Sequence, residues 1–212
     1  MGADFQPEDS LNKMEDGRNR RRSANRARIV EAFLHLIRAG SLSPSSQEVA
    51  EQANVSPRTV FRCFQDMETL YREISIAVQN EFLPRATLDL DTTDRRERLQ
   101  RLLVNRANMF EDMKPFRLAA EVLRHLSPAL NEDHAFLVMM EKERLATVIN
   151  PDEAMDETVF QSLCAVTSFE FWKRLRIDQN LDCEMAAQVM MSSANAIFDT
   201  DLKAGPVGVE SV

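Results

Sequence analysis

Between Gly40 and Phe64 the chain carries four helix-boundary signals in quick succession, and they leave little choice of local fold. Gly40 ends an amphipathic run, because glycine reaches the left-handed conformation of a helix C′ position without steric cost. Ser45, with Glu48 three residues on, is a capping-box start. Asn54 breaks the apolar pattern that follows, and asparagine tolerates the left-handed conformation better than most residues. Ser56 and Pro57 then restart a helix, serine as N-cap and proline at the first helical position, where its missing N–H costs nothing. Two short helices joined by a tight turn result, the second expected from Pro57 to about Phe64.

The flanking sequence is helical too. Ile29, Phe33, Leu36 and Ile37 recur at the three/four spacing of an amphipathic helix ending at Gly40. Past Phe64, helical segments are punctuated by prolines. They are expected at 67–83, 94–113, 116–126, 132–150, 157–178 and 183–198. No segment alternates with period two for long, and few glycines with a single tyrosine favour helix over sheet. The expected fold is all-α, about nine helices, with the first three forming a small head. Residues 1–17 lack hydrophobic periodicity and are expected to be disordered. The head with its basic arm spans 18–70, a helical bundle domain spans 71–202, and 203–212 form a frayed tail.

The net charge of −8 hides an asymmetry. From Arg18 to Phe64 nine arginines face three glutamates, a net of +6, whereas the segment from Gln65 onward has a net of −10. A basic head on an acidic body is the footprint of a protein that touches a polyanion at one end. The same charge also describes a merely solvated helix. No apolar run approaches the length of a membrane span and the N-terminus has no signal-peptide pattern, so a cytoplasmic location without membrane contact is expected. Cys63, Cys164 and Cys183 are odd in number and far apart, which fits a reducing compartment.

Two short helices with a tight turn match the helix-turn-helix of double-stranded-DNA readers. Ala50 must be small where the two helices cross, Val55 and Val60 fill the wedge, and Phe64 docks the end of the second helix. Arg58, Thr59, Phe61 and Arg62 then fan over the opposite face, behind Pro57. Either arginine suits guanine O6/N7, and Thr59 suits a phosphate or a thymine methyl. Phe61 suits a sugar or a thymine methyl, or else packs on the next helix. Ser45, Ser46 and Gln47 are placed to hold a phosphate. Arg20, Arg21, Arg22, Arg26 and Arg28 would follow the DNA backbone or a minor groove, or serve as a solubilising tail.

From "RIVEAFLHLIRAG" through "SSQEVAEQANVSPRTVFRCF" to "DMETL", Arg28 to about Leu70 resembles the N-terminal domain of TetR-family transcriptional regulators. The resemblance implies a homodimer on a near-palindromic operator, usually repressing transcription, and a C-terminal domain in which a small molecule resets the spacing of two heads. By position it carries DNA contact to Gln47, Arg58, Thr59 and Phe61, with Ser46 at phosphate. The chain departs from the pattern at Asn54, where glycine is usual, at Phe61, where tyrosine is common, at Met67, where lysine is frequent, and at Cys63.

In the body, Phe160, Leu163, Cys164, Thr167 and Phe171 run down one helix, and Ala187, Met190, Met191, Ala194, Ile197 and Phe198 down another. Paired with their two-fold copies they would make a dimer interface; the same stripes also fit an internal core. Met109, Phe110, Met113, Phe116, Phe136, Met139 and Met140 would line a pocket for a small apolar effector, or be plain core. No cofactor or metal is expected, since His125 and His134 lack ligand spacing. No catalytic motif appears, so no enzymatic activity is expected. The alternative to a DNA-binding regulator is an all-α protein–protein adaptor whose helix-turn-helix no longer reads DNA.

Overall fold

The computed structural model describes residues 7–87, 91–149 and 155–204, with the backbone alone for 7–18 and 201–204. Among the described residues there is no strand, and the fold is all-α with nine α-helices. In chain order these are α1 (Pro7–Arg38), α2 (Ser46–Gln52), α3 (Pro57–Cys63), α4 (Met67–Phe82), α5 (Arg95–Leu123), α6 (Pro128–Ile149), α7 (Glu157–Val166), α8 (Phe169–Lys173) and α9 (Cys183–Ala204).

Several boundaries differ from the sequence expectation. α1 starts at Pro7, so residues 7–17 are helical where no element was expected. Proline fits that first position, and the residues up to Gly17 contain no further helix breaker. The expected tails at 1–6 and from 205 on lie outside the described residues, while 203–204 belong to the last turn of α9. α5 is one helix rather than two, because it passes through Pro115. That proline offers no N–H to the carbonyl of Glu111, so one rung of the ladder is missing without ending the helix. The expected single helix at 157–178 is instead broken after Val166. Ser168 caps a new start by accepting a hydrogen bond from the Phe171 amide at 3.2 Å. A π-helical turn, Arg174–Asp178, follows α8 directly.

The chain divides into two compact units. The first comprises the residues up to Val78 together with Pro115–Asn131, and so extends beyond the head expected at 18–70. Its core joins Ile29, Phe33 and Ile37 of α1 to Val49 and Ala50 of α2, Val60 of α3, and Leu70 and Ile74 of α4, all buried. Phe33 and Tyr71 meet edge to face with centroids 6.1 Å apart. Glu68 on α4 caps α6, accepting hydrogen bonds from the Ser127 hydroxyl at 2.5 Å and the Ala129 amide at 2.6 Å.

The second unit comprises 79–114 and the residues from Glu132 on. Its core gathers Leu99, Leu103, Phe110, Leu145, Leu163, Trp172 and Phe198. Phe110 and Phe169 pack edge to face at 5.6 Å. A fully buried arginine, Arg106, donates to the Thr167 carbonyl at 2.8 Å, to its hydroxyl at 2.5 Å, and to the Glu141 carbonyl. Burial pushes its guanidinium down to about 10, opposed by the Glu141 carboxylate.

The π-helical turn is tied down by Arg176, which reaches both carboxylate oxygens of Glu111, at 2.9 and 2.8 Å, and also donates to the Leu181 carbonyl. Arg176, with Lys114 in support, holds the Glu111 carboxyl down at about 2. A depressed carboxylate contributes stability that is fully present above its unfolded value of 4.5 and is lost as pH falls through about 2. Urea unfolding at pH 5 and pH 3 should therefore show a larger acid-induced loss for the wild type than for Glu111→Gln. Equal losses in the two proteins would refute the role given to this pair.

Candidate nucleic-acid interface

The segment around α2 and α3 is built from local signals that each find their partner. At the end of α1, Gly40 has φ 102°, its amide bonds the Ile37 carbonyl at 2.9 Å, and the Ser41 amide bonds Leu36 at 3.0 Å. This is a Schellman motif. The end of α2 repeats it with asparagine in the left-handed position. Asn54 has φ 52°, its amide bonds Glu51 at 3.0 Å, and the Val55 amide bonds Ala50 at 2.9 Å. Ser45 and Glu48 form the full capping box, and Ser56 accepts from the Thr59 amide to start α3.

α3 is then held at both ends by arginines of α1. Arg28 donates to the carbonyls of Ala53 and Asn54, bracing the turn before α3. Arg26 donates to the carbonyl of Cys63, the last residue of α3, and pairs with Glu73 of α4. Its guanidinium also lies 4.4 Å from the centre of the Phe64 ring. Arg26 and Arg28 therefore position α3, whereas the sequence left them to an arm along the DNA backbone or minor groove, or to a solubilising tail. Arg21 and Arg22 of that arm are exposed.

With its back fixed, α3 presents a defined front. Val60, Cys63 and Phe64 are buried, at most 2% exposed. Arg58 and Arg62 are exposed and make no hydrogen bond or ion pair among the described residues. Phe61 is 58% exposed, so it does not pack into the core. Pro57 is exposed at the start of the helix. Thr59 differs from expectation: it is half-buried, and its hydroxyl lies 2.9 Å from that of Ser56, which makes it part of the helix cap.

The α2 residues also divide. Ser45 donates its hydroxyl to the Glu48 carboxylate at 2.6 Å, and this bond holds that carboxyl below the usual range. A hydroxyl shared with a carboxylate is poorly suited to a phosphate, so Ser45 belongs to the fold. Gln47 is exposed and donates to Glu51 at 3.0 Å, while Ser46 is half-buried.

No protein-family model, no curated protein and no solved structure matches this chain.

Of the alternatives the sequence left open for the two residue sets in the body, most of these residues take the one in which they pack internally. Of the effector-pocket set, Phe110 lies in the core of the second unit against Phe169, Met109 packs on that core, and Met113 is buried. Phe116 is buried in the first unit, 5.0 Å below the Arg38 guanidinium. Phe136 and Met140 are half-buried. Met139 alone of the set borders the groove described on the second unit, about 450 Å³ in volume. That groove is mixed rather than apolar: Ala146, Met155 and Phe160 share it with Lys142, Glu143 and Glu157.

Of the dimer set, Phe160, Thr167, Met190 and Ala194 are buried within their own unit. The cause is that α7 and α9 pack on each other, so their apolar stripes are used internally. Cys164, Phe171 and Ile197 remain half-buried at the edge of that packing. Arg106 was missed by sequence reading, since nothing local distinguishes a buried arginine from an exposed one. Among the described residues no group of histidine, cysteine and acidic side chains is arranged to hold a metal, and no helix is long and apolar enough to cross a membrane.

Proposed function

We propose that the chain is a sequence-specific regulator that binds double-stranded DNA through α3. The supporting observation is a short helix clamped at both ends, with Arg58, Phe61 and Arg62 facing outward and both guanidinium groups uncommitted among the described residues. Unpaired arginines on the outer side of a helix-turn-helix suit guanine edges and phosphates. The absence of any acid within α3 and the +6 charge of the surrounding stretch favour approach to a polyanion. Two copies of the chain on a near-palindromic site, and repression relieved by a small effector, complete the reading.

The first test is binding to random duplex DNA across a salt series. The logarithm of the affinity should fall linearly with the logarithm of salt concentration, as counterions are released from phosphate. A protein–protein adaptor with the same fold would show neither binding nor slope, and that result would end the DNA reading.

A further inference from the structure

Phe61 is the feature of the α3 face that phosphate and guanine contacts leave unused. It is 58% exposed, while the wedge behind α3 is already filled by Val60, Cys63 and Phe64. The fold therefore does not require a large apolar side chain there. Phenylalanine has no donor or acceptor, so it cannot bond a phosphate or the polar edge of a base. Arg58, three residues before it, and Arg62, next to it, are exposed cations on the same short helix, with no acid among them. An apolar ring beside two cations would be carried into a polyanion's groove by its neighbours and meet whatever apolar group is there. In the major groove that group is the methyl on C5 of a pyrimidine, since the base edges otherwise show donors and acceptors.

We infer that Phe61 reads the 5-methyl group of a pyrimidine in the major groove, an inference that rests on α3 entering DNA. The methyl comes from thymine or from 5-methylcytosine, and the chemistry at the ring is the same. On this reading Arg58 and Arg62 discriminate by hydrogen bonding, and Phe61 discriminates by contact alone.

The experiment begins with selection of tight-binding duplexes from random DNA by the full-length protein. Failure to enrich any sequence overturns the DNA reading itself, and this is known before the methyl question is put. With an enriched site in hand, each thymine is replaced in turn by deoxyuridine, which removes only the methyl. At one position per half-site the wild type should weaken about fourfold, the worth of one buried methyl group. Phe61→Ala should bind the thymine and deoxyuridine duplexes equally, and Phe61→Leu, which keeps an apolar contact, should retain a preference for thymine. Cytosine and 5-methylcytosine at the same position separate the methyl from the rest of the base. The wild type should prefer the methylated form and Phe61→Ala should not. The exposure of Phe61 makes both variants expected to fold, which circular dichroism checks. Indifference of the wild type to every deoxyuridine, or an equal loss in Phe61→Ala, overturns the assignment.

Discussion

Replacing Arg58 by alanine is expected to weaken binding to a selected duplex by about 1–3 kcal/mol, and Arg62→Ala by a similar amount, for each arginine that contacts a guanine. Among the described residues these side chains have no partner to lose, so the substitutions should leave the unfolding midpoint within the small range typical of surface changes. The loss should also be selective. A base-reading arginine relaxes preference at one position of the site, whereas a phosphate-binding one weakens all sequences alike and lowers the salt slope by about one. A double variant that binds its selected duplex as tightly as the wild type would remove both arginines from the interface.

Arg106→Met is expected to destabilise the protein by about 1–3 kcal/mol, the cost of leaving buried acceptors without their donor. The side chain is 3% exposed and lies between α5, α6 and the junction of α7 with α8. Its removal strips donors from the Thr167 and Glu141 carbonyls and from the Thr167 hydroxyl. Arg106→Lys keeps the charge but not the planar fork that serves two carbonyls at once, and should fall between the two proteins. Urea titration of the three proteins gives the comparison. A loss of less than about 0.5 kcal/mol for Arg106→Met would show that the guanidinium is dispensable.

The parts of the fold legible in the sequence are those set by contacts a few residues apart. Gly40, the Ser45–Glu48 box, Asn54 and the Ser56–Pro57 start act through their own backbone, and each occurs where expected. The misread parts depend on distant partners or on competition between signals. Arg26 and Arg28 look like arm residues until Cys63, Glu73 and the α2–α3 turn are brought against α1. Ser168 is a good N-cap in the middle of a helical apolar pattern, and the cap prevailed over the period. Met190 and Thr167 carry the same apolar stripe whether a neighbouring helix or a second chain covers them, and periodicity does not distinguish the two.

The clamps on α3 have a consequence for how such a surface changes over time. Arg26 and Arg28 grip main-chain oxygens of Cys63, Ala53 and Asn54, atoms that every residue supplies. The identities of the side chains at positions 58, 61 and 62 play no part in that grip. On the proposed DNA-binding reading, exchanging them would alter what the helix recognises without altering where the helix sits. A frame that holds only backbone makes this short face replaceable, and on the same reading a natural place for new sequence preferences to arise or be engineered.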